Sequence, residues 1–510
     1  MNILLVIPNQ LVKNFPSIDI PLGVLSIAAY IRSQDYTGSI EIYDATLSGK
    51  LWKDDDGNRF MGDTPEEISQ RIAGTKADLI GISNMFTWQY GQALMVANIC
   101  KSINPDLITV IGGPHASAFP KETINEKDID FVVMGEGEHR FFELITTLDT
   151  GVKPRIQGVL QTEVDQDLLK PSKRSRISFL PDLDELPLPA YDMVDMERYF
   201  FLQGKGYNSR PRSKGRRSVS ILTSRGCPHQ CIFCSIQATM GYKWRHNSPD
   251  YVEKHLAHLV DEYQIDYVHF EDDNFTHDPV RYDSILDILL KTRKTIRWDT
   301  PNGVRGDTWT LDLVRKTKEA GCQYLIVAIE SGVQRVIDEV VKKRLNLRKV
   351  DDLMRYCKSV KLKLFAFYVV GLPGESKEDL QATMTYALER FERYDVLPSI
   401  NKVKTLPGTE LHDIVSREQL YDKEISDDEN VLYTPEFNPQ LIDSLLGQYL
   451  RRLMIIAFVK GLKSPALMLS FMRLLLAYRW YFKNTIRKML SAIIPATLSK
   501  TVVLHHLRIK

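Results

Sequence analysis

The chain has 510 residues, 44% of them hydrophobic and 26% charged, and its formal net charge is +1. Length of this order suggests about three domains with buried cores, and six cysteines are too few for a disulfide scaffold of the secreted kind. The near-neutral sum hides an asymmetry: residues 444–510 contain no Asp or Glu and twelve Lys and Arg, so by subtraction (+1 minus +12) the rest carries −11. Charge separated in this way points to an attached surface-binding segment. The opening MNILLVIPNQ lacks a basic start and a small-residue cleavage site, and reads as a first strand rather than an export signal. A cytoplasmic protein under reducing conditions is expected, with no nucleic-acid partner.

Through residues 1–150, short apolar runs alternate with helical patterns. Strands are predicted at 2–8, 40–43, 79–83, 108–112 and 131–134, with helices at 22–33, 66–72, 89–103 and 138–147. Strand–helix alternation implies a parallel, doubly wound sheet whose ligand loops leave the carboxyl ends of the strands. Gly81, Gly112, Gly113, Gly135 and Gly137 stand where such loops are expected. Residues 151–215, rich in Pro and charge, read as a linker. A second alternation fills 216–435, with strands at 219–223, 267–271, 297–301, 324–330, 364–370 and about 400–404. Helices are predicted at 251–263, 282–291, 311–320, 333–341, 350–358 and 378–391. Six units of this kind make a full or partial (β/α) barrel with its chemistry at the carboxyl ends of the strands. Residues 436–510 form a helical, apolar and basic region.

The first barrel strand runs into SRGCPHQCIFCS, which places Cys227, Cys231 and Cys234 in a C-x3-C-x2-C loop at the barrel mouth. Three thiolates can hold three irons of a cubane cluster and leave the fourth open for catalysis. A zinc knuckle with His229 as fourth ligand is the alternative. Cys100, Cys322 and Cys357 fall in helical or strand-edge contexts and read as inert core thiols.

The loop, with Phe233 just before its last cysteine, resembles the signature of the radical S-adenosylmethionine superfamily. That resemblance implies a [4Fe–4S] cluster on Cys227, Cys231 and Cys234, with the amino and carboxylate groups of S-adenosylmethionine on the open iron. One electron would then cleave the sulfonium to methionine and a 5′-deoxyadenosyl radical, with Phe233 near the adenine. Further blocks, FEDDNF (270–275), AGCQYLIVAIESG (320–332) and VVGLPGES (369–376), resemble the cobalamin-dependent branch. Asp272, Asp273 and Asn274 end a strand and offer polar groups to the ribose or amino group. Glu330 ends the next strand but one, where it can accept hydrogen bonds from ribose hydroxyls. Gly371, Pro373 and Gly374 form a tight turn that brings backbone close to the adenine.

The N-terminal domain resembles the Rossmann-like cobalamin-binding domain of that same branch. Its matching residues are Pro21, Leu22 and Gly23; Gly81 and Ser83; Gly112, Gly113 and His115; and Gly135, Glu136 and Gly137. Glycine loops by themselves fit any flat or phosphate-bearing ligand, although the absence of GxGxxG after the first strand weighs against a dinucleotide. No D-x-H-x-x-G pattern occurs in residues 1–150, so the corrinoid is expected without an axial histidine from the protein. His115 is expected to line the loop that receives the nucleotide tail, or else to pack that loop.

Residues 465–490 place Arg473, Arg479, Lys483, Arg487 and Lys488 on one helical side. Phe471, Leu474, Leu475, Phe482, Ile486 and Met489 fall on the other. A helix lying in a membrane interface has this character, whereas a spanning helix needs an unbroken run of ~20 apolar residues. A helical cap on the barrel is the alternative.

The expected function is therefore that of a cobalamin-dependent radical enzyme, most simply one that methylates an unactivated carbon of a hydrophobic or lipid-like substrate. An oxidative, tetrapyrrole-type cyclase is the enzymatic alternative, and a corrinoid or iron–sulfur sensor the non-enzymatic one. Flavodoxin or ferredoxin is the expected electron donor.

Overall fold

The computed structural model describes residues 1–13, 15–161, 179–207, 213, 216–292, 296–420, 434 and 438–461. The expected amphipathic segment 465–490 lies outside them.

The N-terminal sheet has six strands in the order Ile40–Asp44, Ile3–Ile7, Leu79–Ser83, Ile108–Gly112, Phe131–Val133 and Val159–Gln161. The first five are parallel and the last is antiparallel. Runs such as ILLVI are apolar at every position because helices cover both faces. Leu22–Ser33 and Gly137–Asp149 cover one face, and Pro65–Ala73 and Tyr90–Ile103 the other. Strand order reverses between Ile3–Ile7 and Leu79–Ser83, which opens a crevice at their carboxyl ends. Two features go beyond the expected pattern: the Val159–Gln161 edge strand, and a small antiparallel sheet of Gln10–Leu11, Leu51–Lys53 and Arg59–Met61. Both are too short, and the second too charged, to carry a clear alternating pattern.

Six further strands follow one another in chain order, all parallel. Ser218–Ile221, Tyr267–Phe270 and Arg297–Asp299 form one sheet; Tyr324–Glu330, Lys363–Val370 and Leu397–Lys402 form another. Isolated bridges Trp298–Cys322 and Val304–Val327 join the two. This is a partial (β/α)6 barrel, and among the described residues its first and sixth strands do not pair.

Two segments differ from expectation. The stretch read as a linker holds helix Met196–Gly204, whose Tyr199 and Phe200 are buried. The Tyr199 hydroxyl donates to Asp44, and Arg198 donates to the carbonyls of Leu47 and Ser48, at 2.8 and 2.6 Å. In place of a full helix over 333–341 there is a single π turn, Val336–Val340, closed by Val341 N–H donating to Val336 O at 2.8 Å.

Helix Pro439–Gly461 buries Ile442, Leu445, Leu446, Tyr449, Leu453 and Ala457 and packs on helix Lys377–Tyr394. Lys460 pins its end through Phe391 O (2.8 Å) and the Asp395 carboxylate. Ile455, Phe458 and Val459 stay exposed on its outer side. No helix among the described residues is long and apolar enough to cross a membrane.

Candidate active site

The cysteine loop leaves the first barrel strand through Gly226, where φ is +81°. A Cβ there would lie 2.5 Å from Lys243 O and within about 3 Å of two more carbonyls, so only glycine fits. The ladder Ser224–Arg225 with Arg245–His246 braces the start of the loop. Within the loop, the His229 backbone N–H and the Asn274 side chain donate toward the Cys227 sulfur, and the Ile236 N–H toward Cys234. Burial raises all three thiols, Cys231 to about 11 and Cys234 to about 12. A bound metal cluster would hold them as thiolates.

Among the described residues no three His, Cys, Asp or Glu side chains converge on one ion. His229 instead has both ring nitrogens 3.4 Å from Arg305 Nη1, and burial followed by that guanidinium lowers it to about 4. A zinc knuckle closed by His229 does not fit this pairing. Cys100, Cys322 and Cys357 are free and buried, as expected of core thiols.

Residues expected around S-adenosylmethionine divide in two. Phe233, half-buried, borders the apolar cluster that includes Ile232, Val341 and Leu372. Asp273 lies beside the cysteines and is raised to about 7 by burial and then by the Asp272 charge. Asn274 keeps its buried Oδ1 without a hydrogen-bond partner among the described residues. Asp272, by contrast, accepts from Thr223 N–H (3.2 Å), Thr223 Oγ1 (2.8 Å) and Ser224 Oγ, which ties the first two barrel strands together. Gly371 and Gly374 are left-handed, with φ of +93° at each. Pro373 lies between them, yet two of the turn's N–H groups are already taken. Glu375 Oε2 accepts from Gly371 and Leu372 at 2.7 Å each, while its Oε1 stays buried without a partner among the described residues. Glu330 is paired with Lys343, Nζ to Oε1 at 2.7 Å.

The residues expected around cobalamin divide similarly. Pro21, Leu22 and Gly23 open the first helix, and a Cβ at Gly23 would meet nothing. Ser83 and Gly112 end neighbouring strands in register. At Gly113 φ is +115°, and a Cβ would strike Asn84 O at 2.4 Å. The Gly135 N–H donates to Ser117 Oγ at 2.8 Å. His115 is buried between Tyr90 and Phe119, with ring centroids 4.1 and 5.0 Å away. Its Nδ1 faces Thr87 Oγ1 and its Nε2 has no partner among the described residues. Burial lowers it to about 4, so it is neutral. At the crevice, Asn9 and Asn84 each keep a buried Oδ1 without a partner among the described residues. Orphaned acceptors at the carboxyl edge suit a ligand fringed with amide donors, as a corrinoid is.

Gly81 and Glu136 are placed away from that role. Gly81 lies mid-strand, where a Cβ would press on Leu5 and Phe141, so it serves sheet–helix packing. Gly137 likewise makes room for Ile27. Glu136 is held bidentately by Arg245 at 2.9 and 2.7 Å, and Glu138 by Arg225 and Ser26 at 2.7 Å each. Arg225 also lies 3.5 Å from Glu136. This buried quartet joins the fifth strand's loop of one domain to the base of the cysteine loop in the other. Helix Pro114–Ala118, which carries His115, packs on Ile236–Thr239 just beyond Cys234. Sequence patterns missed Arg225, Arg245, Lys343 and Glu375. Their charge near the motifs was visible, but their pairing is fixed only by the fold.

A doubly wound domain whose carboxyl edge abuts a cysteine-bearing partial barrel defines a two-cofactor radical enzyme. Residues 9–145 match the B12 binding domain model and residues 221–387 the Radical SAM superfamily model. The chain is 31% identical over 408 residues to the cytidylyl-2-hydroxyethylphosphonate methyltransferase of Streptomyces wedmorensis, covering 74% of each chain. It is 24% identical to the anaerobic magnesium-protoporphyrin IX monomethyl ester cyclase of Rubrivivax gelatinosus, covering 76% of this chain and 65% of that one. Identity is also 24% to the hopanoid C-2 methylase of Rhodopseudomonas palustris, covering 67% and 58%. The fold matches the cobalamin-dependent S-adenosylmethionine radical enzyme OxsB with a TM-score of 0.70 at 16% identity, covering 100% of this chain and 75% of that one. The chain belongs to the cobalamin-dependent radical S-adenosylmethionine methyltransferase family, with a [4Fe–4S] cluster, S-adenosylmethionine and cobalamin as its cofactors.

Proposed function

We propose that this enzyme methylates an unactivated carbon of a hydrophobic, lipid-like substrate, with Cys227, Cys231 and Cys234 holding the cluster. The supporting observation is the seat of the His115 helix against the helix that follows Cys234, which sets the two cofactor loops face to face. Bound there, the cofactors supply a one-electron cleavage and a methyl group. The chain's own residues hold the thiolates, orient the loops and keep water from the space between. Phe233, Asp273, Asn274 and Glu330 are the side chains nearest to hand for S-adenosylmethionine. The carboxyl-edge loops at Asn9, Ser83–Asn84, Gly113–His115 and Gly135 serve the corrinoid.

The lipid-like reading rests on the charge asymmetry of residues 444–510 and on the exposed Ile455, Phe458 and Val459. A peripheral position on the inner face of the membrane follows from the same features, with reduction by a cytoplasmic flavodoxin or ferredoxin. Anaerobic mass spectrometry of lipid and aqueous extracts, incubated with enzyme and reductant, tests the proposal. A lipid heavier by one methyl is the expected product. Loss of hydrogens or gain of oxygen would choose the cyclase chemistry instead, and a methylated water-soluble product would overturn the lipid assignment.

A further inference from the structure

The loop opposite the cysteines is the most strained segment among the described residues. After the π turn, Lys342 and Arg344 both adopt left-handed backbone conformations, with φ of +62° and +53°, although neither is glycine. Each such residue costs of order 1 kcal/mol or more, and strain of this kind persists only where surroundings enforce it. Between the two lies Lys343, which is buried while its neighbours reach the surface. Its Nζ donates to Ala328 O at 2.6 Å and to Glu330 Oε1 at 2.7 Å. Glu330 is itself left-handed, with φ of +73°, and follows a register shift between Ala328 and Glu330 in its strand. Rare backbone features thus converge on one buried ion pair from both sides.

The loop is also fastened to the cysteines. Ile232 N–H, inside the cysteine motif, donates to Val341 O at 3.2 Å. Arg305, whose Nη1 faces His229, donates to the carbonyls of Lys343 and Arg344 at 2.9 and 2.5 Å. Lys343 thus stands two residues beyond Val341, the partner of Ile232 in the motif, and its own carbonyl shares the Arg305 guanidinium with His229 of the same motif.

We propose that Lys343, held inward by Glu330 and by the strained backbone on either side, is a positioning residue that raises the reduction potential of the cluster. Reduction adds an electron to a site already carrying three thiolates. A buried cation beside it favours the reduced state more than the oxidised one, and its burial leaves its charge weakly screened. The exposed Lys342, although adjacent in sequence, contributes far less because solvent screens it. The inference rests on the cluster being bound by Cys227, Cys231 and Cys234.

The test is a redox titration of the anaerobically reconstituted full-length enzyme without S-adenosylmethionine, followed by electron paramagnetic resonance of the reduced cluster. Iron per chain is measured in parallel. Lys343→Met is expected to lower the midpoint potential, Lys343→Arg to restore it, and Lys342→Met to leave it unchanged. Glu330→Gln, which keeps the lysine and removes its counter-charge, is expected to raise it. If Lys343→Met cannot be loaded with iron, Glu330→Gln decides alone. A fully loaded Lys343→Met at the wild-type potential, or Glu330→Gln with no rise, overturns the proposal. Failure of the wild type itself to bind iron, or retention of the cluster after replacement of all three cysteines, would refute the ligand assignment instead.

Discussion

At the scale of single residues, charge pairing decides most of what happens near the cofactors. Replacing Cys227, Cys231 and Cys234 by Ala is expected to remove the iron and the broad visible absorbance, read directly by metal analysis. Arg245→Met should be costly in a different way, because it removes both hydrogen bonds that hold the buried Glu136 and leaves it only Arg225, 3.5 Å away and shared with Glu138. Breaking a buried pair by removing one member costs about 3–5 kcal/mol, seen as a drop in the denaturation midpoint. Glu138 adds a pH dependence. Burial pushes its carboxyl up, but the Arg225 charge and the hydrogen bonds from Arg225 and Ser26 outweigh it and hold it at about 2. A lowered carboxyl stabilises the fold above the ordinary value of 4.5 and ceases to do so as pH falls from there toward about 2. Glu138→Gln should therefore be less stable than wild type at pH 7 and lose less stability across that acid range, as followed by urea denaturation at several pH values.

Elements place those residues, and here turns matter more than strands. Gly226→Ala is expected to distort the cysteine loop, since a methyl would sit 2.5 Å from a backbone carbonyl at a left-handed position. The measurable result is low iron occupancy in a protein whose far-ultraviolet circular dichroism is unchanged. The periodic elements are legible in the sequence: Leu22–Ser33, Leu79–Ser83, Ile108–Gly112 and Tyr324–Glu330 occur where apolar spacing puts them. So is the C-x3-C-x2-C motif at a strand end. What escapes is long-range. Nothing local in EDD distinguishes Asp272, consumed by Thr223 and Ser224, from Asp273 beside the cysteines. Nothing in GEGE foretells that Glu136 meets Arg245 rather than a ligand. The Met196–Gly204 helix is obscured by the Pro-rich and charged sequence around it, although its MERYFFLQG core is apolar enough to bury.

For the whole molecule, the C-terminal region poses a choice of cut. Helix Pro439–Gly461 is part of the barrel's packing, so ending the chain before it should expose the surface around Tyr368, Leu388 and Phe391 and promote aggregation. Ending it after Gly461 should leave fold and cluster intact while weakening attachment to anionic vesicles. Flotation of the full-length and shortened proteins at low and high salt checks this, since surface attraction is screened over about 10 Å at 0.1 M. Equal flotation of both forms would assign residues beyond 461 to packing rather than to a membrane.

Among the described residues Ser218–Ile221 and Leu397–Lys402 do not pair with each other, which has a bearing on the size of molecule the enzyme can serve. A closed eight-stranded ring limits its guest to what passes through one end. A ring left open along its flank imposes no such limit: a long or bulky molecule can keep most of its length outside, in solvent or in a bilayer, and offer a single carbon to the interior.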